Sequence, residues 1–179
     1  MQARRLLFLS KLLGLLAVAA AAAVWHHGHI RNFLLAVGDA LAPRLSKSRR
    51  KYSLRMQPSL LQVYRGDPAI HYEVWVQRKT RSLEIGLHFE GAREENYRWA
   101  QALAARVVEI QRALGPQAEL EEWTRKWTRL HETRVVGGDP WRPSQDLTQE
   151  LAKEVAERLA SYIEALEPIL AEERAGVVG

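Results

Sequence analysis

Hydrophobic positions alternate with polar ones twice in succession between Ala69 and Gly91, in the stretch AIHYEVWVQRKTRSLEIGLHFEG. Ile70, Tyr72, Val74 and Val76 form the first series, and Leu83, Ile85, Leu87 and Phe89 the second. A period of two over this length predicts two half-buried strands. A loop of Arg78, Lys79, Thr80 and Arg81 sets Val76 opposite Leu83, Val74 opposite Ile85, Tyr72 opposite Leu87 and Ile70 opposite Phe89. A slip of one residue would turn the whole apolar series into water, so only even slips compete. Ser59 to Arg65 (SLLQVYR) reads as a preceding strand, between Pro58 and the turn signal Gly66-Asp67-Pro68.

Elsewhere the apolar spacing is helical. Ile30 to Leu41 carries Phe33, Leu34, Val37 and Leu41, a short amphipathic helix stopped by Pro43. Glu94 to Leu114 predicts one helix, with Ala100, Leu103, Val107, Ile110 and Leu114 as its stripe and Gly115-Pro116 as its end. Leu120 to Val136 fits two descriptions. Leu120, Trp123, Trp127 and Leu130 match a helix, while the Thr- and Trp-rich composition suits a fourth strand in which Trp123, Arg125, Trp127, Arg129 and His131 share a face. A last helix begins after Asp146 or Thr148 and runs to about Ala171, on the stripe Leu147, Leu151, Val155, Leu159, Ile163, Leu166 and Leu170, with Pro168 expected to kink or end it.

The N-terminal run Leu6 to Trp25 (LLFLSKLLGLLAVAAAAAVW) is apolar throughout except for Lys11. About 20 residues at 1.5 Å each cross a ~30 Å hydrocarbon layer. Arg4 and Arg5 precede the run, and Trp25 closes it at interfacial depth. It reads as an uncleaved anchor, with a cleaved signal peptide ending near Ala21 or Ala23 as the alternative and an ordinary buried helix as the plainest one. His26, His27 and His29 follow, and read as a polar cap at the membrane surface rather than a metal site.

Charge divides the chain. Residues 1–60 hold 10 Lys or Arg against a single acid, Asp39, while residues 61–179 hold 16 against 20. A basic arm on a mildly acidic body points to a polyanionic neighbour for the arm. Its densest part, Arg44 to Arg55, carries Arg44, Lys47, Arg49, Arg50, Lys51 and Arg55 with no acid among them. Beside a membrane such a run attracts anionic lipid, at about 1 kcal/mol per basic residue. The same charges suit phosphates of nucleic acid. Only Tyr52 interleaves them, so a stacking platform for bases is missing and nucleic acid is the less favoured partner. Cysteine is absent, which excludes disulfides, thiol nucleophiles and thiolate metal sites.

Candidate chemistry lies on the polar face of the hairpin. His71, Glu73, Trp75 and Gln77 share that face with Glu84, Gly86, His88 and Glu90, and the register sets His71 opposite His88 and Glu73 opposite Gly86. Opposed residues have Cβ atoms ~4.5–5.5 Å apart. His71, Glu73, Glu84, His88 and Glu90 are therefore the candidates for metal binding or acid–base work. Gly86 leaves room there for a ligand or for the ring of Trp75. Polar residues on the outer face of an antiparallel sheet are also simply expected.

These patterns lead to an α+β chain, with an antiparallel sheet of three or four strands packed by two long amphipathic helices and an N-terminal hydrophobic helix. Residues 1–25 are the anchor or signal, 26–56 a basic juxtamembrane linker with a short amphipathic helix, and 57–174 the globular domain. The function expected is that of a membrane-associated interaction or accessory protein without catalysis, held in the membrane by a single N-terminal pass, or exported if the run is cleaved. Membrane lipid is its expected partner, a protein partner is possible, and no cofactor, metal or small-molecule ligand is called for. The alternatives are a metal-dependent or acid–base hydrolase on the polar face, and nucleic-acid binding through residues 44–55.

Overall fold

The computed structural model describes residues 28–176. The expected hydrophobic helix at Leu6–Trp25 lies outside them. The chain is α+β, with six antiparallel strands in the order β1-β2-β3-β4-β6-β5 and helices on one face of the sheet. The strands are β1 (Ser53–Gln57), β2 (Leu60–Tyr64), β3 (Ile70–Gln77), β4 (Ser82–Phe89), β5 (Glu119–Glu122) and β6 (Thr128–Val135). The helices are α1 (28–41), α2 (Arg93–Ala104), α3 (Val107–Leu114), the single turn α4 (Pro143–Asp146) and α5 (Gln149–Gly176).

The central hairpin pairs in the register expected from its pattern, from Ile70 opposite Phe89 to Val76 opposite Leu83. The tight loop is closed by Arg81, which takes a left-handed conformation at φ 54°. Two apolar rows from this hairpin continue into β2 through Leu61 and Val63, and into β6 through Leu130. All of these side chains are buried. A single face thus supplies the sheet's half of the core, and burying it is the main driving force for the fold.

The sheet has six strands where three or four were expected, because both edges add a short one. β1 begins inside the stretch expected as a linker, ends one residue beyond it, and includes Arg55. Only Leu54 and Met56 give it an apolar side, and they pair with Val63 and Leu61. The 120–136 stretch resolves in favour of strands. Glu119–Glu122 and Thr128–Val135 form a hairpin whose turn holds Trp123 and Trp127.

The helices differ from expectation in two places. The 94–114 helix is two helices, α2 and α3, separated at Ala105 and Arg106, where Arg106 sits at φ −116°, ψ 18°. The break lets Ile110 and Leu114 turn onto α5 while Val107 and Val108 remain partly in water. Pro168 does not end the last helix, which continues to Gly176. Ile163, Leu166, Ile169 and Leu170 are all buried on either side of it, and that packing outweighs the ~3 kcal/mol that an interior proline costs. Thr148 is the cap, its Oγ1 accepting a bond of 3.1 Å from the Leu151 amide.

α1 belongs to the body. Ile30, Phe33, Leu34, Val37 and Leu41 are buried, and Gly38 lies against Leu54 and Leu61. At the other end of the sheet, Asn96 ties three segments together. Its side chain accepts from the Gly91 amide and donates to the carbonyls of Gly91 and Lys126. Trp99 stacks on Phe89 with ring centroids 6.0 Å apart. Two acids lie between the sheet and α5, Glu132 on β6 and half-buried, Glu167 on α5 and buried. Glu132 accepts from Arg158 at 2.9 Å and from the Tyr162 hydroxyl at 3.2 Å, and Glu167 accepts from Arg65 and the Tyr72 hydroxyl. The tyrosine hydroxyls are held well above their usual pKa, first by burial and then by these carboxylates.

Candidate functional site

The helices pack on one face of the sheet, and its other face carries the polar residues. Registers across four strands align them in rows. One row is Tyr64, His71, His88 and Arg129; the next is Gln62, Glu73, Gly86 and His131; a third sets Trp75 beside Glu84. Period-two geometry dictates this, since each residue is flanked on its own strand by members of the apolar face.

The face is far from solvated. Glu84 and His88 are 0% exposed, His71 is 2% and Glu73 is 3%. The cover comes from aromatic side chains. Trp123, in the β5–β6 turn, lays its ring edge to face with His88 at 5.8 Å and with Trp75 at 6.3 Å. The Arg129 guanidinium sits 5.0 Å from the Trp123 ring, a cation–π contact.

Four of the five candidates converge. His71 Nε2 is 3.3 Å from Glu73 Oε2. His88 Nε2 is 3.6 Å from Glu73 Oε1 and 3.2 Å from Glu84 Oε1. The two imidazoles stack with centroids 5.7 Å apart. Glu90 stands at the margin, 4.0 Å from His88 Nδ1 and partly exposed.

Hydrogen bonds define the state of His71. Its Nδ1 lies 2.9 Å from the Pro68 carbonyl, which only accepts, so Nδ1 carries the proton. Its Nε2 accepts from Gln62 Nε2 at 3.0 Å. His88 differs: despite the nearby carboxylates, both of its ring nitrogens are buried with no hydrogen bond of acceptable geometry.

Glu84 is fully engaged. Its Oε2 accepts from Gln77 Nε2 and its Oε1 from Arg129, both at 2.7 Å. Burial pushes its carboxyl up, but the neighbouring His88 and the charge of Arg129 together outweigh burial and hold it below its usual pKa. Arg129 also bonds Glu121, on the edge strand, so one guanidinium links three strands. His131 lies 3.2 Å from Glu121 and 3.8 Å from Glu84. Burial and then the Arg129 charge hold its pKa below the usual value.

Gly86 does not leave room for a ligand or for Trp75. A Cβ built there would lie 2.6 Å from His131 Cβ and 2.7 Å from the Leu130 carbonyl, so the missing side chain lets β6 approach. Pattern reasoning did not find Gln62 or Glu121. Arg129 and His131 stood in the shared-face alternation of the strand description, whereas Trp123 and Trp127 lie in the turn and Arg125 is exposed there.

The basic run is divided between structure and solvent. Arg49 pairs with Glu164 at 2.8 Å, Arg44 donates to the Ala40 carbonyl and Arg50 to the Leu45 carbonyl. Lys47, Arg50, Lys51 and Arg55 are exposed. A cleft of about 620 Å³, lined in part by Lys51, Tyr64, Arg65, Glu167 and Arg174, opens beside this run.

No protein-family model matches the chain, and neither a curated protein nor a solved structure matches it.

Proposed function

We propose that this chain is a membrane-associated accessory protein that acts by binding rather than by catalysis. One observation carries the non-catalytic half. The cluster with the chemistry for turnover has its central residues, Glu84 and His88, wholly buried, with the Trp123 ring against His88, so a substrate would have to displace that ring to reach His88. The hydrolase reading draws its support from the convergence of His71, Glu73 and His88, but it needs that opening.

The membrane half rests on the apolar run Leu6–Trp25 and on the exposed Lys47, Arg50, Lys51 and Arg55, which follow it closely in sequence. Among the described residues no helix is long and apolar enough to cross a membrane, so the run itself is the anchor in this reading. The test is flotation of the full-length protein with vesicles of neutral or anionic lipid. The protein floats with both and stays bound in high salt, while the triple variant Lys47→Gln, Arg50→Gln, Lys51→Gln loses only the preference for anionic lipid. Full-length protein that remains in the aqueous fraction without detergent would overturn the proposal. Preferential capture by an oligonucleotide over anionic vesicles would favour nucleic-acid binding through residues 44–55 instead.

A further inference from the structure

We infer that His71 Nε2, His88 Nε2 and the Glu73 carboxylate form a binding site for one divalent transition-metal ion of the zinc class. The inference is independent of membrane attachment and of the non-catalytic reading.

Convergence comes first. One ligand atom from each residue lies within 4.8 Å of the other two. A tetrahedral ion with bonds of ~2.0–2.1 Å places its ligand atoms about 3.4 Å apart. His71 Nε2 lies 3.3 Å from Glu73 Oε2 and His88 Nε2 3.6 Å from Glu73 Oε1, so each imidazole has one carboxylate oxygen near that spacing.

The second observation is independent of the first. His88 is fully buried and neither of its nitrogens makes a hydrogen bond of acceptable geometry, although Nε2 lies 3.2 Å from Glu84. A buried nitrogen without a hydrogen bond is costly, and a metal ion bound at Nε2 removes that cost at this atom.

The surroundings are arranged as metal-binding histidines require. Ligating imidazoles commonly donate their other nitrogen to a carbonyl or carboxylate, which fixes the tautomer. The Pro68 carbonyl does this for His71, leaving on Nε2 a lone pair that accepts from Gln62, with Glu73 3.3 Å away. Glu90, 4.0 Å from His88 Nδ1, stands where it can do the same for the second ring. When the ion takes the His71 lone pair, Gln62 gives up its bond there.

Charge also favours an ion. Glu73 is 3% exposed, and its ion-pair neighbours are the two imidazoles. A cation among them compensates a carboxylate that would otherwise be costly to bury. Glu84 stands outside the set of three whose ligand atoms all converge, and its oxygens accept from Gln77 and Arg129. Two imidazoles and one carboxylate suit zinc, cobalt, iron or manganese rather than magnesium or calcium, which prefer oxygen donors alone.

The experiment uses full-length protein, stripped with a chelator and dialysed, then titrated with Zn²⁺ and Co²⁺, with Mg²⁺ as the control. Bound metal is measured directly, and Co²⁺ coordination by its visible absorption. One Zn²⁺ per chain is expected at this site, weakened at least about tenfold in His88→Gln and in Glu73→Gln. A variant with His26, His27 and His29 all changed to Ala should retain it. Absence of uptake by the wild type would overturn the site, and so would uptake lost in the triple variant but kept in His88→Gln. Should the site variants fail to fold, ¹⁵N resonances of the wild-type histidines decide. Zn²⁺ must shift those of His71 and His88, and shifts confined to the N-terminal histidines would refute the assignment.

Discussion

Gly86 stands directly across from His131, and a methyl group in place of its hydrogen would come within 2.6 Å of the His131 Cβ. The clash involves β6 backbone as well, since the same Cβ lies 2.9 Å from His131 Cα and 2.7 Å from the Leu130 carbonyl. Relief requires the two central strands to separate. Gly86→Ala should therefore cost about 1–3 kcal/mol or more in chemical denaturation, in line with overpacking of a tight interior. A neutral result would mean that β4 and β6 do not lie this close.

Arg129 and Glu84 form a second such relationship, 2.7 Å apart and buried. Replacing Arg129 by Met leaves Glu84 without its cation in a closed site. Such a change typically costs ~3–5 kcal/mol. Glu84→Gln should cost less, because Arg129 keeps its bond to Glu121 on the edge strand. Paired urea titrations of the two variants check the order, and a greater loss in Glu84→Gln would contradict it.

His131 sets an acid limb in the stability profile. Burial and the nearby Arg129 hold its folded-state pKa below the usual 6.5, against the opposing pull of Glu84 and Glu121. The unfolded chain thus accepts a proton that the folded chain refuses. Stability from this residue is complete above pH 6.5 and is lost as pH falls from there toward the lowered folded value. His131→Gln should flatten the slope just below pH 6.5, read from denaturation midpoints across pH 5 to 8. An unchanged slope would remove His131 as its source.

The hairpin register could be read from the chain because its apolar and polar positions alternate without interruption over both strands. That alternation placed His71 beside His88 and Glu73 beside Gly86. The edge strands were hidden for the opposite reason. Glu119–Glu122 offers only Leu120 to the core, and Ser53–Gln57 offers only Leu54 and Met56 within a run of basic charge. Local periodicity is silent where burial is slight. Nothing local marks Ala105 and Arg106 as a break, since the apolar stripe passes through them without Gly or Pro. Pro168 misleads in the other direction, because tertiary packing overrides its preference. Closure of the site depended on a contact that no local pattern carries. Trp123 reaches His88 from a turn 35 residues further along the chain, and only the strand order β3-β4-β6-β5 brings them together.

The central claim is that the outer face holds a closed, directed cluster rather than a solvated set of polar residues. The tautomer of His71 tests this most directly, through long-range proton–nitrogen correlation on histidine-labelled, metal-free protein. The account predicts a proton on Nδ1, donated to the Pro68 carbonyl, and a bare Nε2 facing Gln62 and Glu73. A proton on Nε2 with Nδ1 bare, or exchange averaging between the two forms as in a solvent-exposed ring, would contradict it.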